Sequence, residues 1–196
     1  MKRGFTLIEL LIVIGILAIM ATVVVLVLNP AEILAQARDS QRISDLGSVK
    51  SAIALYLATA TATSTASSTN YGNVLGTNAR VNVAAAANPF VTGNVTTVTS
   101  SAVNGTGWVN VKLDDTVGGS SLSALPPDPS NNTTYYYGYA GNSNAQTFEL
   151  VGRLESSKYR PLMQNDGGDK VCPSSGTGDW NTNCYYEMGT QPNLNL

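Results

Sequence analysis

From Phe5 to Leu28 the chain runs for 24 residues in which Glu9 is the sole charge and nearly every other position is apolar. The run has neither a period-2 alternation nor a polar stripe at helical spacing, so it predicts a helix that is apolar on all sides. At about 1.5 Å per residue such a helix spans about 36 Å, more than a hydrocarbon core of roughly 30 Å. The pattern then breaks at "NPAE", Asn29 to Glu32. Here Asn29 is a capping residue, Pro30 suits a first helical position, and Glu32 is placed to reach back as in a capping box. In the alternative, the helix runs through and Pro30 kinks it. From Ala31 to Ala58 the apolar positions Ile43, Leu46, Val49, Ile53, Tyr56 and Leu57 recur at helical spacing, with Arg38, Asp39, Arg42, Asp45 and Lys50 as the wetted portion.

The remainder changes character. "ATATATSTASST", Ala58 to Thr69, is a low-complexity loop, and between Thr59 and Asn110 the single charged residue is Arg80. "WVNVKL" (Trp108 to Leu113) alternates and predicts a strand, and "LPPDP" (Leu125 to Pro129) predicts a rigid turn. "TYYYGYA" (Thr134 to Ala140) and "TFELVGRLE" (Thr147 to Glu155) predict a hairpin joined by a loop of about six residues. The fold class expected is α+β: a long N-terminal helix packed on a small, β-rich C-terminal head. The expected segments are 5–28 apolar helix, 29–58 its amphipathic continuation, 59–106 a polar, loop-rich stretch and 107–196 the head.

Orientation follows from Lys2 and Arg3, which precede the apolar run and keep that end cytoplasmic, with everything after Leu28 outside. A cleaved secretory signal has a similar start. Here Val23 to Leu28 continues apolar past Ala21 and no lipid-accepting cysteine follows, which disfavours removal at the far end. Glu9 is the anomaly, because a charge at the bilayer centre costs about 3 kcal/mol on insertion scales.

Candidate chemistry is sparse. Histidine is absent and only 12% of residues are charged, with a net charge of −2. Ser-His-Asp and Cys-His pairs, histidine bases and histidine-held metals are therefore excluded, and a basic nucleic-acid groove has no support. No P-loop, G-x-G-x-x-G or C-x-x-C occurs, so no catalytic residue is assigned and an enzyme is not expected. Cys172 and Cys184 suit one disulfide if the head is external, or two reduced thiols if it is not. Asp166, Asp169 and Asp179 sit among glycines, as the ligands of calcium loops do; a solvated acidic loop is the other reading, and no metal or cofactor is assigned.

"KRGFTLIELLIVIGILAIMA", Lys2 to Ala21, resembles the class III leader and first helix of type IV pilins and type II secretion pseudopilins. The resemblance rests on the short basic leader, Gly4, Phe5, Thr6 and Glu9. It implies that residues 1–4 are a leader, that a prepilin peptidase cuts between Gly4 and Phe5, and that the new Phe5 amine is methylated. It implies no cofactor. It also implies assembly of the subunit with copies of itself into a filament, drawn from membrane lipid by an inner-membrane platform and an ATPase. Glu9 then gains a partner, since the Phe5 nitrogen becomes a cation on cleavage, one helical turn away on the same face. The head's order of "LPPDP", a Tyr-rich strand and an "L-x-x-x-LE" strand is also similar to that of major pseudopilins, some of which bind calcium in a C-terminal loop. A pilus subunit, a pseudopilin of secretion or DNA uptake, and a monomeric membrane-anchored adhesin are the three readings that remain.

Overall fold

The computed structural model describes residues 4–59, 79–84, 88–90, 95–142, 147–168 and 184–190. The protein is α+β. Helix α1 spans Leu7–Leu28 and α2 spans Pro30–Thr59. Five short strands follow: β1 Ala79–Val81, β2 Val95–Thr97, β3 Gly138–Asn142, β4 Thr147–Gly152 and β5 Tyr186–Gly189. They form one sheet in the order β2-β1-β3-β4-β5, with β1 and β2 parallel and the other pairs antiparallel.

The two helices are separate elements. Asn29 adopts φ 40°, ψ 72°, a left-handed conformation that asparagine tolerates at the end of a helix. Its carbonyl accepts from the Glu32 and Ile33 amides at 3.0 and 3.3 Å, which starts α2, with Pro30 as the first residue. The expected reach of Glu32 back to the cap does not occur. Its carboxylate instead accepts from the Ser157 amide and hydroxyl at 2.9 and 2.6 Å, because the head supplies better-placed donors.

Helix α2 buries one stripe against the head. Leu46, Val49, Ala52, Ile53 and Tyr56 pack on Trp108, Val109, Val111, Leu113, Tyr137, Tyr139, Phe148 and Leu150. Each fully buried large apolar side chain contributes about 1.5–3 kcal/mol relative to exposure. The strands alternate as the pleat demands: Tyr139, Phe148 and Leu150 face α2, while Ala140 and Val151 join Ala79, Val81, Phe90, Tyr136 and Tyr185 on the other face. Gly138 is needed there, since a Cβ would stand 2.8 Å from Val151 and 3.3 Å from the Phe90 ring.

Several expectations need correction. Trp108 to Leu113 is not a strand. Burial does alternate, with Val109, Val111 and Leu113 buried, Asn110 half-buried and Lys112 exposed, but among the described residues the segment's ladder pairing is limited to one isolated bridge, Asn104 to Lys112. It lies in an irregular layer bonded through Trp108 N to Ser100 O and Leu113 N to Val103 O, and ends in a 3-10 turn at Leu113–Asp115. The turn expected at Leu125–Pro129 sits at the end of that segment, where Asp128 Oδ1 accepts from the Ser130 and Asn131 amides. The hairpin strands pair up to Asn142 and Thr147, so the connection is residues 143–146 rather than six residues, and Thr134 to Tyr137 lie outside the strand. β1 and β2 fall in the loop-rich stretch 59–106, whose Ala, Thr, Asn, Gly and Val composition suits short strands as well as loops. Finally, Asp39 and Arg42 are fully buried rather than wetted, because the head brings them opposite charges and donors.

Candidate functional site

Two groups of polar residues stand out along the helical spine. The first is at the start of α1. Thr6 is the N-cap, with φ −82° and ψ 150°. Its hydroxyl accepts from the Glu9 amide at 3.3 Å, and Glu9 Oε2 accepts from the Thr6 amide at 2.9 Å and the Thr6 hydroxyl at 2.7 Å. This is a capping box, and the signal T-x-x-E at the head of an apolar run was available in the sequence. It also corrects the expected placement of Phe5, which precedes the cap and is not part of a helical turn with Glu9. Phe5 is 79% exposed. Among the described residues nothing lies within 4 Å of where a Cβ on Gly4 would sit, so their packing places no demand for glycine there.

Downstream, α1 offers its apolar side chains to the surroundings, and none of those described is buried. Leu7–Val25 has a mean hydropathy of 2.9 and is, among the described residues, the one helix long and apolar enough to cross a membrane. It is compatible with a membrane anchor.

Residues 1–25 match the family model described as the prokaryotic N-terminal methylation motif. The chain carries a prepilin-type N-terminus. Gly4, Phe5 and Glu9 all fall within the matched residues, and the match is consistent with a type IV pilin-like or pseudopilin protein processed by prepilin peptidase. No curated protein and no solved structure matches the chain.

The second group fastens α2 to the head. Arg42 Nε and Nη2 donate to the two oxygens of Asp128 at 2.7 and 3.1 Å, and Nη1 donates to Asp39 at 2.8 Å and Glu155 at 2.7 Å. Nη2 also reaches the Ser130 hydroxyl, and the Tyr135 ring lies 4.7 Å from the guanidinium carbon. Arg38 grips Glu155 with two bonds, at 2.6 and 2.9 Å. Asp39 accepts from the Glu155 and Ser156 amides as well. Burial opposes the Arg42 charge, but the bonds and charges of Asp128, Glu155 and Asp39 outweigh it and raise its pKa above the ordinary arginine value. Burial likewise works to raise Glu155, yet Arg38 and Arg42 hold it below the usual carboxylate range. Burial raises Asp45, whose carboxylate accepts from the Tyr137 hydroxyl. The sequence marked Arg38, Asp39 and Arg42 as a wetted set; Asp39 and Arg42 pair locally, but their partners in the head, 86 to 117 residues away, carried no local signal.

The remaining predicted residues lie in the tail. Cys184 is buried, and among the described residues no cysteine is a free thiol. Cys172, Asp169 and Asp179 lie outside the described residues. Asp166 accepts from the Gly168 and Glu187 amides at 3.0 and 2.8 Å, and burial raises its pKa. It lines an open cleft of about 250 Å³ with Lys50, Tyr186 and Met188. Among the described residues no three His, Cys, Asp or Glu side chains gather as a metal cage would require.

Proposed function

We propose that the chain is a structural subunit of a type IV pilus-like filament, and not an enzyme. The match of residues 1–25 to the methylation motif carries this reading. A prepilin peptidase removes residues 1–4 and methylates the Phe5 amine, and an inner-membrane platform with its ATPase draws the subunit into a helical polymer of copies of itself. Before assembly the chain spans the membrane once, with a cytoplasmic N-terminus and an external head.

The chemistry of the step follows from the capping box. In the precursor the Phe5 nitrogen is a neutral amide. Cleavage makes it an amine with an ordinary pKa of about 7.7–8.0, and so a cation near neutral pH. The cation arises next to Thr6, whose amide and hydroxyl already hold the Glu9 carboxylate. A Glu9–Phe5 pair closed between neighbouring subunits ties their register to charge pairing, since an unpaired charge in an apolar core is costly. With the head outside, Cys172 and Cys184 are joined, closing a 13-residue loop worth about 3 kcal/mol in the chain-entropy model.

The pseudopilin of a secretion or DNA-uptake system shares the same motif and is the second reading; fibre length and abundance separate the two. The test is electron microscopy of sheared surface filaments with mass spectrometry of their subunit. The expected species begins at a methylated Phe5, and non-reducing peptide mapping of it reads the disulfide. Filaments lacking this chain, or a subunit that keeps Met1, would refute the reading.

A further inference from the structure

Residues 81 to 111 carry no charged side chain, yet Thr96, Thr97, Thr99, Ser100, Asn104 and Thr106 within them are exposed. Asn104, Gly105 and Thr106 form an N-x-T triplet at an exposed turn, the sequence that N-linked oligosaccharide transfer requires. The local geometry is specific. Gly105, at φ 84°, turns the chain back, and the Thr106 amide and hydroxyl both donate to Asn104 Oδ1, at 3.1 and 2.6 Å. This is an Asx turn reinforced by the hydroxyl of the triplet itself. Among the described residues nothing engages Asn104 Nδ2. The triplets at Asn131 and Asn132 are held differently: Asn131 Oδ1 accepts from Asn82, and Asn132 Oδ1 accepts from the Thr134 and Tyr135 amides.

We propose that Asn104 is an acceptor for an N-linked glycan. Two hydrogen bonds onto Oδ1 pull electron density toward the carbonyl and make the Nδ2 protons more acidic, which eases the loss of one of them. In the transfer, Nδ2 attacks the anomeric carbon of a lipid-linked oligosaccharide. The new bond is N–C, the bond that breaks joins that carbon to the lipid's phosphate oxygen, the lipid phosphate leaves with the electron pair, and one Nδ2 proton passes to a base of the transferase. The proposal rests on the external head proposed above.

The experiment is peptide mass spectrometry of the full chain from its native host, alongside Asn104→Gln, Thr106→Ala and Thr106→Ser. In parallel, intact cells are treated with a membrane-impermeant amine reagent, read at the exposed Lys158. The expected result is a glycosylated peptide containing Asn104, lost in Asn104→Gln and Thr106→Ala and kept in Thr106→Ser, with Lys158 labelled. Both positions are exposed, so equal melting temperatures of the variants check that folding is intact. Unmodified Asn104 with labelled Lys158 overturns the glycan alone. Unmodified Asn104 with unlabelled Lys158 overturns the external head and the glycan with it.

Discussion

Arg42→Met removes a guanidinium and keeps a side chain of similar reach. Arg42, Asp39 and Asp128 are fully buried, and the Glu155 side chain is 13% exposed. Removing one partner of a buried ion pair costs about 3–5 kcal/mol, because the other is left charged in a poorly solvating place. Here each carboxylate keeps other donors: Asp39 the Glu155 and Ser156 amides, Asp128 the Ser130 and Asn131 amides, and Glu155 the Arg38 side chain. That places the expected loss at the low end, about 3 kcal/mol. For a chain of this size 1 kcal/mol moves the melting temperature by about 2–4 °C, so the drop should be about 6–12 °C. Circular dichroism melts of the detergent-solubilised chain measure it. The companion variant is Asp128→Asn combined with Arg42→Met. It removes one of the stranded charges, so the double variant should lose less than the sum of the two single losses. A drop below 2 °C for Arg42→Met, or simple additivity in the double variant, refutes the claim that these charges depend on one another.

The other predictions concern the membrane end and acid. Gly4→Leu should leave an uncleaved, membrane-bound precursor, because the fold leaves space at Gly4 and the demand for glycine comes from the peptidase; loss of residues 1–4 at the normal rate, read by intact mass, would contradict this. Glu9→Leu should insert and be cleaved but give little filament, while Thr6→Val should lower the yield less, since it removes the cap hydroxyl and leaves the carboxylate; wild-type yield of Glu9→Leu from an equal pool of processed subunit would make Glu9 a passenger. Glu155 has a depressed folded pKa, so its contribution is present above its ordinary value of about 4.3 and is lost as pH falls through the folded value. The stability gap between wild type and Glu155→Gln should therefore shrink on acidification below that value, and a gap independent of pH would remove the linkage.

Legibility in the sequence tracked the range of the interaction. The apolar run, the break at Asn29 and Pro30, and the core stripe Leu46, Val49, Ile53 and Tyr56 are local periodicities, and they appear in α1, α2 and their packing. The hairpin of β3 and β4 was visible from its aromatic and β-branched runs, but its register was not, because pairing to Asn142 and Thr147 depends on how the strands seat against α2. Trp108 to Leu113 keeps the alternation, with Val109, Val111 and Leu113 buried and Lys112 exposed, but makes only an isolated bridge to Asn104, because a ladder needs a neighbouring strand that local periodicity does not report. Asp39 and Arg42 failed because a charge is read as solvated until a distant partner is known, and Asp128 and Glu155 are distant. The Thr6–Glu9 box is local and legible as T-x-x-E at the head of an apolar run.

Three carboxylates on the spine share one device, a backbone amide donating to the acid, often with a hydroxyl beside it. Glu32 takes the Ser157 amide and hydroxyl, and Asp39 takes the Glu155 and Ser156 amides. Both bonds bridge more than a hundred residues, so breaking them means parting α2 from the head. Glu9 takes the Thr6 amide and hydroxyl only three residues away, on a helix with no buried side chain among the described residues. Its bonds can be exchanged without disturbing the core. A subunit that must leave lipid and join a polymer needs this division: acids that hold the head rigidly on α2, and one acid whose partners are replaceable. Glu9 is the replaceable one, and under the proposed processing it stands where cleavage creates a new cation. Under the proposed assembly, the cap would satisfy the carboxylate before the subunit joins the polymer, and the incoming amine would have only a local contact to displace.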